Sequence, residues 1–291
     1  MESSPSPSFR MKSGGGEARP APFSPGEKHR PEEFLLGKVI GFTAIFVLTA
    51  ATAAGLPHPG LAASRNGLWM VVHDICLPAY RDIGVAFPCT EVNIADGPDR
   101  GFAVLRTPSA PAHIIVVPTA PISGIESPAL LSEHVPNYWE AAWGARRFVE
   151  EAARRQLPRD NMAMAINSAA GRSQDQLHIH VSCIAPALAE FLRRHEPEIR
   201  ETWSPLGAPL LGHRFLAMKV ETENLAGADP FKLLARGLPA SKSSMGRHML
   251  AVTGATFHNG RSGFYLLTND PRPLSGGIVN AEALLDANCS G

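Results

Sequence analysis

The sequence predicts an α+β fold, a largely antiparallel sheet flanked by helices. Three observations lead there. The run Gln176-Leu177-His178-Ile179-His180-Val181 alternates polar and apolar residues, the period of two expected of a half-buried strand. Asn137 to Gln156 carries the apolar spacing of a helix, with Trp139, Ala142, Trp143, Val149, Ala152 and Ala153 on one face. The remaining strand and helix patterns mix without the strict alternation that a parallel sheet requires, and no fixed-period repeat is present.

The 291 residues suffice for one large domain or two small ones, and a 44% hydrophobic content can supply a core. Lys+Arg and Asp+Glu are equal at 27 each. That balance lacks the basic excess of a nucleic-acid-binding domain, so no nucleic-acid partner is expected. A small phosphorylated ligand needs only a local site and stays open.

Taken in order, residues 1–33 are rich in Ser, Pro and Gly and read as a disordered tail. Val39 to Leu56 is an apolar run of about eighteen residues, and no Asp, Glu, Lys or Arg occurs from Val39 through Ser64. Residues 34–56 therefore read as a membrane-anchor helix. Lys28, Arg30 and Lys38 precede the run, which leaves the tail cytoplasmic and exports residues 65–291. A cleaved signal segment, with Ala51-Thr52-Ala53 as its small-residue site, is the competing reading. Either way disulfides become feasible. Cys76, Cys89, Cys183 and Cys289 permit three pairings, and the absence of any Cys-x-x-Cys pair argues against a zinc site.

The exported body opens with helical spacing from Arg65 to Cys76, ended by Pro78, and a loop region from Cys76 to Arg100. Two strands follow, Gly101 to Arg106 and His113 to Val117, and Pro118 stops the second because proline cannot donate to a ladder. After the long helix, Pro158 closes it and Met162 to Asn167 reads as a strand. The short polar loop Ser168 to Asp175 then joins it to the histidine strand as a hairpin. Ala187 to His195 and Pro230 to Arg236 read as helices. His213 to Val220, His248 to Thr253 and Phe264 to Thr268 complete the strands.

On the histidine strand, Leu177, Ile179 and Val181 point into the core. Gln176, His178 and His180 share the opposite face at spacings of roughly 6.6 Å. An imidazole can attack phosphorus while neighbouring imidazole and amide groups hold the phosphate oxygens. His-x-His alone also fits a solvated face, a packed core histidine or half a metal site. Asn167, Gly171, Ser173 and Gln174 lie just upstream and supply amide and backbone N–H donors, the equipment of an anion pocket. No Asp, Glu or Cys shares the strand face as a third ligand, so no metal is expected. Trp139 and Trp143 read as core residues.

These residues carry a family resemblance. Ala165-Ile166-Asn167-Ser168, Gly171-Arg172-Ser173-Gln174 and Gln176-Leu177-His178-Ile179-His180 resemble the signature of the histidine-triad superfamily. His113-Ile114-Ile115-Val116-Val117-Pro118 is similar to its apolar strand ending in proline. The likeness is closer to one branch, the bacterial CDP-diacylglycerol pyrophosphatases. It spans Cys76-Leu77-Pro78, Cys89, Glu126-Ser127-Pro128, His178 to Cys183, Gly212-His213, Met245-Gly246-Arg247 and Cys289.

The resemblance implies a histidine-triad-like catalytic domain over residues 65–291, on the periplasmic side of a bacterial inner membrane. The implied reaction hydrolyses the pyrophosphate bond of CDP-diacylglycerol, giving CMP and phosphatidate. His178 would be the nucleophile, assisted by His180 through a nucleotidyl-histidine intermediate. Asn167, Gln174, Gln176 and Ser182 would hold the phosphate, His213 and Arg247 are candidate substrate contacts, and no cofactor is required. Gln176 stands where the superfamily has its first triad histidine, and it cannot titrate. Two alternatives remain at this level: a histidine-triad hydrolase or nucleotidyl transferase on soluble nucleotides, and a non-catalytic exported metal- or nucleotide-binding module.

Overall fold

The computed structural model describes residues 64–108, 110–238, 243–269 and 280–290. The expected tail and anchor, residues 1–56, lie outside them. No described helix is long and apolar enough to cross a membrane.

The sheet has ten strands, and every pairing is antiparallel among the described residues. They are β1 (Glu91–Asn93), β2 (Phe102–Thr107), β3 (Ala110–Pro118), β4 (Met162–Ile166), β5 (Ile179–Ile184), β6 (Ser204–Pro205), β7 (Phe215–Val220), β8 (Leu250–Thr256), β9 (Ser262–Asn269) and β10 (Leu285–Asp286). The order is β1-β2-β3-β5-β4-β8-β9-β7-β6. β10 pairs with the far end of β5, so β5 touches three strands.

The period-2 patterns decide which face each residue occupies. One face buries Ile114, Val116, Met164, Ile179, Val181, Val252 and Leu266 in the main core. It is covered by α3 (Tyr138–Ala145) and α4 (Arg147–Ala153) with Trp139 and Trp143, and by Phe231 and Leu234 of α6 (Pro230–Gly237). Asn137 caps α3, accepting from the backbone N–H groups of Trp139 and Glu140. The expected single helix is thus two, broken at Arg146, and it ends at Arg154 in a left-handed conformation.

The opposite face carries two separate apolar patches. Over β1–β3, an N-terminal helical segment packs Val72, Cys76 and Leu77 onto Ala103 and Val117. Over β4, β8, β9 and β7, α5 (Pro186–His195) and the turn Ala281–Leu284 pack onto Ala165, Ala251, Leu267 and Phe215. The first half of β5 lies between the patches, and there the face is polar.

Two boundaries differ from expectation. The N-terminal helix does not stop at Pro78: α1 (Gly67–Met70) continues through a π-helical turn (Val71–Cys76) into α2 (Leu77–Ile83), whose first turn holds the proline. The proline falls where the π-helical turn hands over to α2, and the chain passes it without a break. The expected loop to Arg100 also contains β1, in an edge position. Both disulfides are intramolecular: Cys76–Cys89 staples the N-terminal segment, and Cys183–Cys289 fastens the C-terminal segment to β5.

Candidate active site

β5 begins at Ile179, three residues later than the alternation suggests, because the segment from the bend at Gln176 to His178 stays outside the ladder. Their backbone is held otherwise. Leu177 N–H donates to the Ile122 carbonyl at 2.6 Å, and Leu177 is buried in the main core as its parity requires.

His178 Nδ1 lies 2.7 Å from the Gln176 carbonyl oxygen. A carbonyl only accepts, so Nδ1 carries the hydrogen and the Nε2 of neutral His178 carries the lone pair. Burial holds the His178 pKa below the usual imidazole value, against the opposing effects of the Gln176 carbonyl and the Glu282 carboxyl. Arg172 adds to the lowering. The neutral, nucleophilic form is favoured.

The His178 and His180 rings meet edge to face with centroids 4.9 Å apart. His180 Nδ1 shares a hydrogen bond with His113 Nε2 at 2.9 Å, and its Nε2 lies 3.5 Å from Glu282 Oε1. Burial is the main cause that keeps His180 well below its usual pKa and lowers His113 as well. The register explains the grouping. Ile115 pairs with His180, which puts His113 diagonally beside it on the same face.

Asn167 directly follows the end of β4. Its Nδ2 donates to Glu282 Oε1 at 3.1 Å, and its Oδ1 accepts the Ala281 N–H at 2.8 Å. The side chain expected to hold phosphate therefore also fastens the 281–282 turn against the histidines. His178, His180 and Asn167 are brought together as the sequence indicated. His113 and Glu282 were not singled out. His113 could have been found by carrying strand parity from Ile115 and Val117, whereas Glu282 arrives on a distant turn with no local signature.

Other expected residues face elsewhere. Both Gln176 amide hydrogens are directed to backbone, with Nε2 donating to the Pro118 and Ala120 carbonyls at 2.9 Å each. Gln174 binds the N-terminal segment, accepting from Leu68 N–H and donating to the Ser64 carbonyl. Ser182 Oγ lies 2.8 Å from both the Ala112 and the Asp286 carbonyls, at the junction of β3 and β10. In these three the polar group braces the site from behind, since a nearer carbonyl or N–H competes for it.

His213 bridges to Leu210 in the turn before β7, a strand that β4, β8 and β9 separate from β5. Arg247 ends a turn whose Gly246 carbonyl accepts from Ala169 N–H at 2.8 Å, just past Asn167, and its side chain is exposed there. The polar loop between β4 and β5 is fixed by charge. Arg172, 10% exposed, donates to Glu126 at 2.6 Å and to Asp175 at 3.0 Å. Arg65 also binds Asp175 and, with Arg172, holds its pKa at about 2. Among the described residues no three His, Cys, Asp or Glu side chains are grouped as ligands of a metal ion.

A neutral imidazole with a defined free nitrogen, beside a second imidazole, an amide and a carboxyl, can carry nucleophilic transfer at phosphorus. Comparison with known proteins agrees in kind. Residues 63–291 match the family model of CDP-diacylglycerol pyrophosphatases. A Yersinia pestis protein named CDP-diacylglycerol pyrophosphatase is 38% identical over 237 residues, covering 81% of this chain and 89% of its own. The chain belongs to the CDP-diacylglycerol pyrophosphatase family.

Proposed function

We propose that this protein cleaves the pyrophosphate of CDP-diacylglycerol through a covalent histidine intermediate. The family makes it a hydrolase of a pyrophosphate bond. The observation that carries the mechanism is the 2.7 Å contact between His178 Nδ1 and the Gln176 carbonyl, which leaves Nε2 as the free nucleophile. In the first step Nε2 bonds to the cytidylyl phosphorus. The bond to the bridging oxygen breaks, and phosphatidate leaves with that electron pair. In the second step water displaces the imidazole and CMP departs. Dividing one slow hydrolysis into two displacements is the general advantage of covalent catalysis.

Asn167 is the best placed of the expected phosphate contacts, since the Glu282 contact engages Nδ2 through one of its two hydrogens. Arg247, exposed beside the end of β4, is a second. Gln176, Gln174 and Ser182 support the site indirectly. The two disulfides favour an oxidising compartment, which fits a periplasmic domain tethered by the apolar segment 34–56. A histidine-triad-like core is the reading of the sheet that agrees with this chemistry.

The test is CMP release from CDP-diacylglycerol in detergent micelles, with a chelator present, by the parent and by His178→Ala. Turnover in the parent and a loss of at least about 10³-fold in the variant is the expected result. Equal rates would remove His178 as nucleophile. Undiminished turnover in the presence of a large excess of a soluble dinucleotide is expected if the lipid is the preferred substrate.

A further inference from the structure

We propose that Glu282 is a catalytic residue, the general base that takes the proton from water when the nucleotidyl-histidine is hydrolysed. The inference rests on the covalent route just described. That route leaves one requirement unmet. Attack by His178 needs no base, because its Nε2 already holds a lone pair, and phosphatidate leaves as a stable anion. Hydrolysis of the adduct is different: water must lose a proton as it bonds to phosphorus. His180 is poorly suited to accept it, being buried and bound on Nδ1 by His113, with burial opposing its protonation. Gln176 cannot titrate.

Glu282 answers the requirement in four respects. Among the described residues it is the carboxyl that approaches the histidine group, 3.5 Å from His180 Nε2 and 3.1 Å from Asn167 Nδ2. Its charge acts on both His178 and His113. Its side chain is 43% exposed, so it can meet water and return the proton to solvent. Its position is built: Asn280 caps the turn, accepting from the Glu282 N–H, while the Asn167 amide grips both the Ala281 N–H and the carboxyl.

Electrostatics argues against a role in binding alone, since a carboxylate beside an anionic pyrophosphate repels it in the ground state. In the step proposed, a water oxygen bonds to phosphorus and the phosphorus–nitrogen bond breaks, its electron pair returning to Nε2. One water proton passes to Glu282 Oε, and the other stays on the CMP phosphate.

The experiment uses the full chain in detergent with CDP-diacylglycerol labelled on the cytidylyl phosphorus, comparing the parent, Glu282→Gln and His178→Ala. Glutamine can still accept from Asn167 but is not a base. The expected result for Glu282→Gln is a kcat lower by about 10², a KM unchanged or lower, and an acid-labile, alkali-stable label accumulating on the protein. Parental kcat in Glu282→Gln overturns the proposal. So does a lowered kcat without accumulated label, which would place the loss in the first step. If His178→Ala keeps its turnover, the covalent route itself falls, and Glu282 as its base falls with it.

Discussion

Gln176 departs from the histidine-triad pattern, and its surroundings give a physical reason for an amide. Its two Nε2 hydrogens serve two backbone carbonyls, those of Pro118 and Ala120, and a neutral imidazole has only one N–H to offer. Gln176→His, which restores the triad, is therefore expected to lower unfolding free energy by about 1–3 kcal/mol, with no gain in kcat. Denaturant titration beside steady-state kinetics checks both. The buried histidines make a second prediction. His113, His178 and His180 are all held below the usual pKa, chiefly by burial, with Glu282 opposing and Arg172 reinforcing at His178. The unfolded chain takes up protons near pH 6.5 that the native state resists. With more protons bound in the unfolded state, stability is complete above that pH and declines as pH falls below it. Denaturant midpoints from pH 8 to pH 5 are expected to drop below about 6.5. A flat profile would show that the three rings stay neutral for no energetic cost.

The hairpin of β4 and β5 was legible because strand parity is a strong constraint: one residue of slip would bury His180 beside Met164 and turn Val181 out of the main core. Its boundary was less legible. Gln176 to His178 have strand-like alternation, yet they pair with a loop and with themselves, which no periodicity reveals. The two-residue strands β6 and β10 also carry no pattern long enough to read. At the same scale, α3 was expected from its apolar face, and its cap adds a test. Asn137 accepts from two helix N–H groups, and its Nδ2 donates to the Leu225 carbonyl at 2.6 Å. Asn137→Ala is expected to cost about 1–2 kcal/mol in unfolding free energy. Because α3 covers the face opposite the histidines, kcat at 25 °C should not change.

The whole molecule sets its reactive group in a polar gap between two apolar patches on one sheet face, and this could not be read from the chain. The sequence pointed to His178 and Asn167, the proposed nucleophile and phosphate contact, since both lie within one hairpin. Glu282 is 115 residues from Asn167, and only the closed fold joins them. The fastening is β10 on β5 together with Cys183–Cys289, which closes a separation of 106 residues. A loop of that length corresponds to about 4–5 kcal/mol in the chain-entropy picture. Replacing both cysteines by serine is thus expected to lower the melting temperature and to reduce kcat more than nucleotide affinity, measurable by thermal unfolding and single-turnover kinetics. The same bridge has a consequence for biogenesis. Asn167 and His178 lie in one hairpin and can fold together early, whereas the turn bearing Glu282 must return across 115 residues, and the bond between residues 183 and 289 helps to hold it there. On the proposed mechanism, a nascent or reduced chain would capture a nucleotide more readily than it releases one, so full turnover would follow the oxidative finish of the fold.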